Sequence, residues 1–164
     1  MPATLPRRPD VAGRTKCPQS ADWRGSLTLS LSNEAGSTRI TRRQHSGPLL
    51  IQRPFYPEGK QCCHIYLLHP PGGLVGGDQL SCHFDLAAGS QALVTTPSAG
   101  KAYRVDADDR VQGFQANIDM AQCTSMEWLP QETIAFDGAR LYNSTRIKLK
   151  PDSALIGWDI LCLG

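Results

Sequence analysis

The residues best equipped for chemistry crowd into one stretch, Gln52 to Asp78, reading QRPFYPEGKQCCHIYLLHPPGGLVGGD. Cys62, Cys63, His64 and His69 are soft or borderline metal ligands, and Cys82 with His83 could join them. Their spacing matches no closed structural zinc pattern such as paired CxxC. In a strand over His64–Leu68, alternation sets His64 on one face with Tyr66 and Leu68. The ordinary reading of His64 is then a hydrogen-bonded histidine near the core, and the functional one is a ligand for a passing ion.

The glycine pairs Gly72-Gly73 and Gly76-Gly77 invite a phosphate-cradle reading, which fails on chemistry. A P-loop needs Lys and then Ser or Thr after its last glycine, but Asp78 stands there and repels phosphate. The run Thr95–Lys101 fails similarly, with Thr95 in place of the first glycine and Ala102 in place of the hydroxyl. The glycines instead serve a tight loop. Among the carboxylates, Glu127, Glu132 and Asp137 lie together in sequence, yet no nucleophile–histidine arrangement accompanies them. Asp137-Gly138 reads as a turn and Glu127 as a solvated strand residue. Glu132, after a proline and between Gln131 and Thr133, is the acid expected to face a cavity. Asp159, between Trp158 and Ile160, must be paired, hydrated or functional if its strand is apolar.

The elements that must position these groups are strands. Leu27, Leu29 and Leu31 alternate with serines and a threonine up to a turn at Asn33–Gly36. The same period-two pattern runs through Leu80–Leu86, Phe114–Met120 and Thr145–Leu149, while no window shows comparable helical spacing. A weak repeat links the last three. Leu86, Met120 and Leu149 are each followed after four residues by a hydroxyl residue (Ser90, Thr124, Ser153), then after six by an apolar one (Ala92, Met126, Leu155). A strand–turn–strand unit recurring about every 30 residues is what stacked β layers require, although plain hairpins in a sandwich give much the same pattern.

Composition agrees with a mainly β protein. The 164 residues include 15 Gly and 12 Pro, and aromatics are 7%. A net charge of +2 gives no reason to invoke nucleic acid or an anionic membrane. The six cysteines are too scattered for a disulfide scaffold and read as reduced. Residues 1–22 are basic, proline-rich and without periodicity; they read as a disordered leader, not a secretory signal, so the expected location is the cytoplasm. The closing run Asp159–Gly164 reads as an apolar strand with no tail after it, leaving an edge to be covered by a partner or by further chain.

Five blocks taken together resemble the UreD/UreH family of urease accessory proteins over about residues 23–164: QRPFYPEG, CHIYLLHPPGGLVGGD, TTPSAGKAYR, EWLPQETIAFDGA and GWDILCLG. The resemblance implies one domain of stacked, helix-like β-sheet layers with few short helices, truncated here at the C-terminus. It implies a non-enzymatic maturation factor that acts with UreF and the GTPase UreG to promote nickel insertion into apo-urease. No cofactor is expected to bind stably, and Ni2+ is expected only in transit. Matched by motif, Asp78 and Asp159 are the acids expected to line an ion channel, with Glu132 and Lys101 weaker candidates; hydrated carboxylates can pass on a divalent ion without holding it. The chain departs from the family pattern in its double cysteine, Cys62-Cys63, and its acidic Asp106–Asp109 loop. The competing readings are a nickel- or zinc-binding protein using Cys62, Cys63, His64 and His69, with Cys63, His64 and His69 as the metal candidates, and a hydrolase using Glu132 and Asp137.

Overall fold

The computed structural model describes residues 23–164; the leader expected over 1–22 lies outside the described residues. Among the described residues thirteen strands form three sheets. The first sheet holds β1 (Arg24–Glu34), β2 (Ser37–Ser46), β5 (Gln79–Leu86), β8 (Gln112–Met120) and β11 (Leu141–Leu149) in the order β11-β8-β5-β1-β2. The second holds β3 (Leu50–Ile51), β4 (Cys62–Leu68), β6 (Gln91–Thr95), β9 (Ser125–Leu129) and β12 (Ala154–Gly157) in the order β12-β9-β6-β4-β3. The third is short, β13-β10-β7, from β7 (Gly100–Ala102), β10 (Thr133–Ala135) and β13 (Leu161–Leu163). No helix occurs among the described residues, so the few short helices expected of the family are not found there.

From β5 onward the chain visits the three sheets in turn, and each return pairs in parallel with the coil before. The architecture is therefore a parallel β-solenoid of three coils, and the hairpin sandwich is excluded. The internal repeat maps onto it position by position. Leu86, Met120 and Leu149 are lateral neighbours on the first sheet, and Ala92, Met126 and Leu155 on the second. The hydroxyl residues serve the corner between them: Thr124 Oγ1 donates to the Ala121 carbonyl at 2.8 Å, and the Ser153 hydroxyl donates to that of Lys150. Buried Ser90 instead donates across to Leu31 at 3.4 Å, while its N–H closes the corner on Ala87.

Coil length is not uniform. Gln79, Gln91 and Gly100 pair with Gly113, Ser125 and Thr133, offsets of 34, 34 and 33 residues. Gln112, Ser125 and Thr133 pair with Leu141, Ala154 and Leu161, offsets of 29, 29 and 28. Most of the difference sits in one corner: ten positions separate Ala102 from Gln112, against six from Ala135 to Leu141. The extra residues form the exposed acidic loop at Asp106–Asp109, tied by Arg110 to Asp106 at 2.7 Å and by Arg140 to Asp109. An insertion at a corner lengthens a coil without changing the register of its strands.

Inward side chains from the first two sheets meet as one core, where Phe84 packs edge-on against Trp128 at a centroid distance of 5.6 Å. The core thins along the stack. In the inward row Leu29–Phe84–Ile118–Ile147, exposure is 0% for the first three and 39% for the last. The first end is finished differently. β2 and β3 run antiparallel to their neighbours, and Leu74 bridges the free side of β7.

Candidate functional site

Asp159 and Lys101 meet at a cavity of about 400 Å³ between the sheets, whose wall also includes His69, Thr96, Gln131 and Asn143. His69, Thr96, Gln131 and Asp159 come from the segments between strands, whereas Lys101 is carried by β7 and Asn143 by β11. Asp159 falls at the corner between β12 and β13 and not within a strand; the strand-like run expected from Asp159 narrows to Leu161–Leu163. The turn from the second sheet to the third demands that corner. Asp159 is exposed and accepts a hydrogen bond from Asn143 Nδ2 at 2.9 Å; Asn143 Oδ1, buried, has no partner. Trp158, beside it, donates its indole N–H to Pro130 at 2.8 Å, which fixes the corner.

Asp78 stands apart from that cavity. It is buried, and its carboxylate accepts the Val75 N–H at 3.0 Å while its own N–H returns to the Val75 carbonyl at 3.0 Å. Its carbonyl takes the Gly113 N–H at 2.8 Å. The loop Pro70–Asp78 lies along β7, where Leu74 exchanges hydrogen bonds with Lys101 and Tyr103 at 2.7 and 3.0 Å. Gly73 faces the Tyr103 ring, and a Cβ there would come within 2.4 Å of it; Gly77 takes a φ of 89° that glycine alone adopts readily. This loop finishes a sheet edge. Burial lowers the proton affinity of His69 against the opposing pull of Asp78, so His69 presents a neutral ring to the cavity. Glu132 lies half-buried before β10, and its carbonyl accepts the Gly100 N–H at 2.8 Å; the cavity wall is made by its neighbours Gln131 and Thr133. Asp137 lies in an exposed turn beside Gly138 and pairs with Arg104.

The four ligand-type residues of the Cys62–His69 stretch are divided by the pleat. Cys63 faces the core, 0% exposed, with its thiol pushed up by burial despite a hydrogen bond with Tyr56. Cys62 and His64 face outward on β4, next to Tyr66, and Glu58 from the preceding turn reaches them. His69 lies beyond the strand's far end, at the cavity. Glu58 is thus the partner that reading the sequence missed; its signal was Gly59, whose φ of 111° turns the chain back on the strand it leads into. Phe55 bridges His64 in antiparallel fashion, and its ring lies 5.6 Å from the imidazole and 5.4 Å from Tyr66. Burial first, then Glu58 and Glu127, push the Cys62 thiol up to about 11.

The sequence profile of the UreD urease accessory protein family matches residues 24–164, the whole solenoid. The chain is 48% identical over 148 residues to the urease accessory protein UreD of Marinobacter nauticus, covering 87% of this chain and 50% of that one. It is 46% identical to that of Saccharophagus degradans, covering 99% and 52%, and 44% identical to that of Pseudoalteromonas translucida, covering 100% and 55%. The chain spans about half the length of these curated relatives. A match that runs through every coil assigns the family: the chain belongs to the UreD urease accessory protein family.

Proposed function

We propose that this chain serves urease maturation as a non-catalytic scaffold, working with UreF and the GTPase UreG to promote nickel insertion into apo-urease in the cytoplasm. The observation that carries the proposal is the family match across all three coils. The stacked sheets support it, since they provide a rigid surface for protein partners, and so does the cavity beside Asp159, whose acid can hand on a hydrated divalent ion without trapping it. In this reading Ni2+ is cargo in transit, Asp159 and Lys101 set the charge at the cavity, and Asp78 holds the loop that borders it. Among the described residues no helix is long and apolar enough to cross a membrane.

The experiment is a chimera of the Saccharophagus degradans relative in which residues 24–164 of this chain replace the matching segment. It is co-expressed with UreF, UreG and apo-urease. Co-purification of the four proteins and nickel-loaded urease are expected. Absence of a complex from a folded chimera refutes the scaffold reading. Asp159→Ala in the chimera should lower urease nickel while the complex survives; loss of assembly instead would make Asp159 structural.

A further inference from the structure

Outside the cavity, on the outer face of the second sheet, Glu58, Cys62 and His64 bring one ligand atom each to within 4.8 Å of one another. We propose that these three residues form a binding site for a borderline divalent cation of the zinc or cobalt type, with one coordination position left open to solvent. The first support is the donor set. A thiolate, an imidazole and a carboxylate suit zinc(II), cobalt(II) and nickel(II) better than calcium or magnesium, which prefer oxygen alone.

The second support is an unsatisfied atom. His64 is 8% exposed, and its Nε2 is buried without a hydrogen-bond partner, a costly state for an imidazole nitrogen. Glu58 Oε1 stands 3.6 Å away, too far to hydrogen-bond. That spacing fits a shared cation. Tetrahedral bonds of about 2.0–2.3 Å hold their ligand atoms roughly 3.3–3.6 Å apart. The His64–Glu58 pair already has that separation at 3.6 Å, and Cys62 lies within 4.8 Å of both.

The third support is how rigidly the ligands are presented. Cys62 and His64 are alternate residues of a strand paired on both sides, so their Cβ atoms leave the same face. His64 exchanges backbone hydrogen bonds with Phe55 at 2.9 and 3.3 Å, and the Phe55 ring leans on the imidazole. Glu58 is carried by a tight turn closed by Gly59 N–H to Tyr56 at 3.2 Å and Cys62 N–H to Gly59 at 3.3 Å. Its side chain is 64% exposed and free to close over an ion. Three protein ligands with a fourth position open is the arrangement of exchangeable sites, whereas structural zinc sites use four.

Titration of the purified 164-residue chain with cobalt(II) chloride tests this, read by the thiolate-to-cobalt charge-transfer band in the near ultraviolet. One equivalent should saturate the band, and zinc(II) should displace it. Cys62→Ser should abolish the band. Glu58→Gln, which changes only an exposed side chain, should weaken cobalt binding by at least about tenfold with the circular dichroism spectrum unchanged. A double variant of the exposed Cys123 and Cys162, both to Ser, should titrate like the parent. The proposal is overturned if no saturable one-equivalent binding occurs, if the band survives Cys62→Ser, or if Glu58→Gln binds as tightly as the parent.

Discussion

Ile118 and Ile147 occupy the same inward row of the first sheet one coil apart, and replacing each by Ala isolates what stacking contributes. Both substitutions delete three carbons from the same residue type, and what differs is that β8 is flanked by strands on both sides while β11 is the edge. At about 0.8 kcal/mol per buried methylene, full burial of those carbons is worth about 2.4 kcal/mol, and a closed cavity adds about 1 more. Ile118 is 0% exposed with a strand on either side, so Ile118→Ala should cost about 3–4 kcal/mol. Ile147 is 39% exposed, so about three-fifths of the transfer value applies and no closed cavity forms; Ile147→Ala should cost about 1.5 kcal/mol. Urea unfolding of the 164-residue chain, followed by circular dichroism, should therefore separate the two midpoints by about 1 M at an unchanged slope near 2 kcal/mol per M. Equal costs, within about 0.5 kcal/mol, would refute the view that lateral coils supply the burial.

Further outcomes follow from the same geometry. Thr38→Val should cost about 2 kcal/mol in urea unfolding, because the buried Thr38 hydroxyl donates to Gln61 at 2.6 Å and accepts from the Gln91 N–H at 3.0 Å, and both groups lose their partner. Alkylation at pH 8 followed by peptide mass mapping should label the exposed Cys123 and Cys162 and spare Cys63 and Cys82; rapid labelling of native Cys82 would contradict its burial. Burial pushes the Cys82 thiol up to about 12, so above its ordinary value near 9 the unfolded chain releases a proton that the folded chain keeps. Stability should thus hold below pH 9 and fall as pH rises toward 12, and Cys82→Ala should shallow that fall in denaturation midpoints measured between pH 8 and 10.5. Deletion of residues 106–109 should leave the circular dichroism spectrum unchanged, since it shortens an exposed corner and gives the first coil nearly the offset of the second.

Legibility in the sequence tracked the length of each element. β1, β5, β8 and β11 run for eight to eleven residues with one wetted face, so alternation exposes them. β7, β10 and β13 are three residues each and show no period at all. What fixes them is the coil beneath, an interaction some thirty residues distant that no local window contains. β2 was equally hidden, because its exposed face is a run of Arg and Gln and only Thr38 is fully buried. The site divided in the same way. Alternation set His64 beside Tyr66, yet Cys63 and His64 were grouped as metal candidates although the pleat sends them to opposite faces. The meeting of Lys101 with Asp159 and of Glu58 with His64 depends on corners whose geometry the linear chain does not display.

The antiparallel finish at one end of the stack gives the molecule a direction. β2 is an edge strand bearing Arg39, Arg42 and Arg43, β3 is only two residues long, and β7 has Leu74 across its flank. Charge, brevity and cover are the devices that stop an edge from recruiting another strand. At the opposite end β11, β12 and β13 carry Leu149, Ile156 and Leu163 at 53%, 68% and 83% exposure. Among the described residues, the β2–β3–β7 end therefore carries the devices that refuse a further strand, whereas β11, β12 and β13 set apolar side chains along an edge without them.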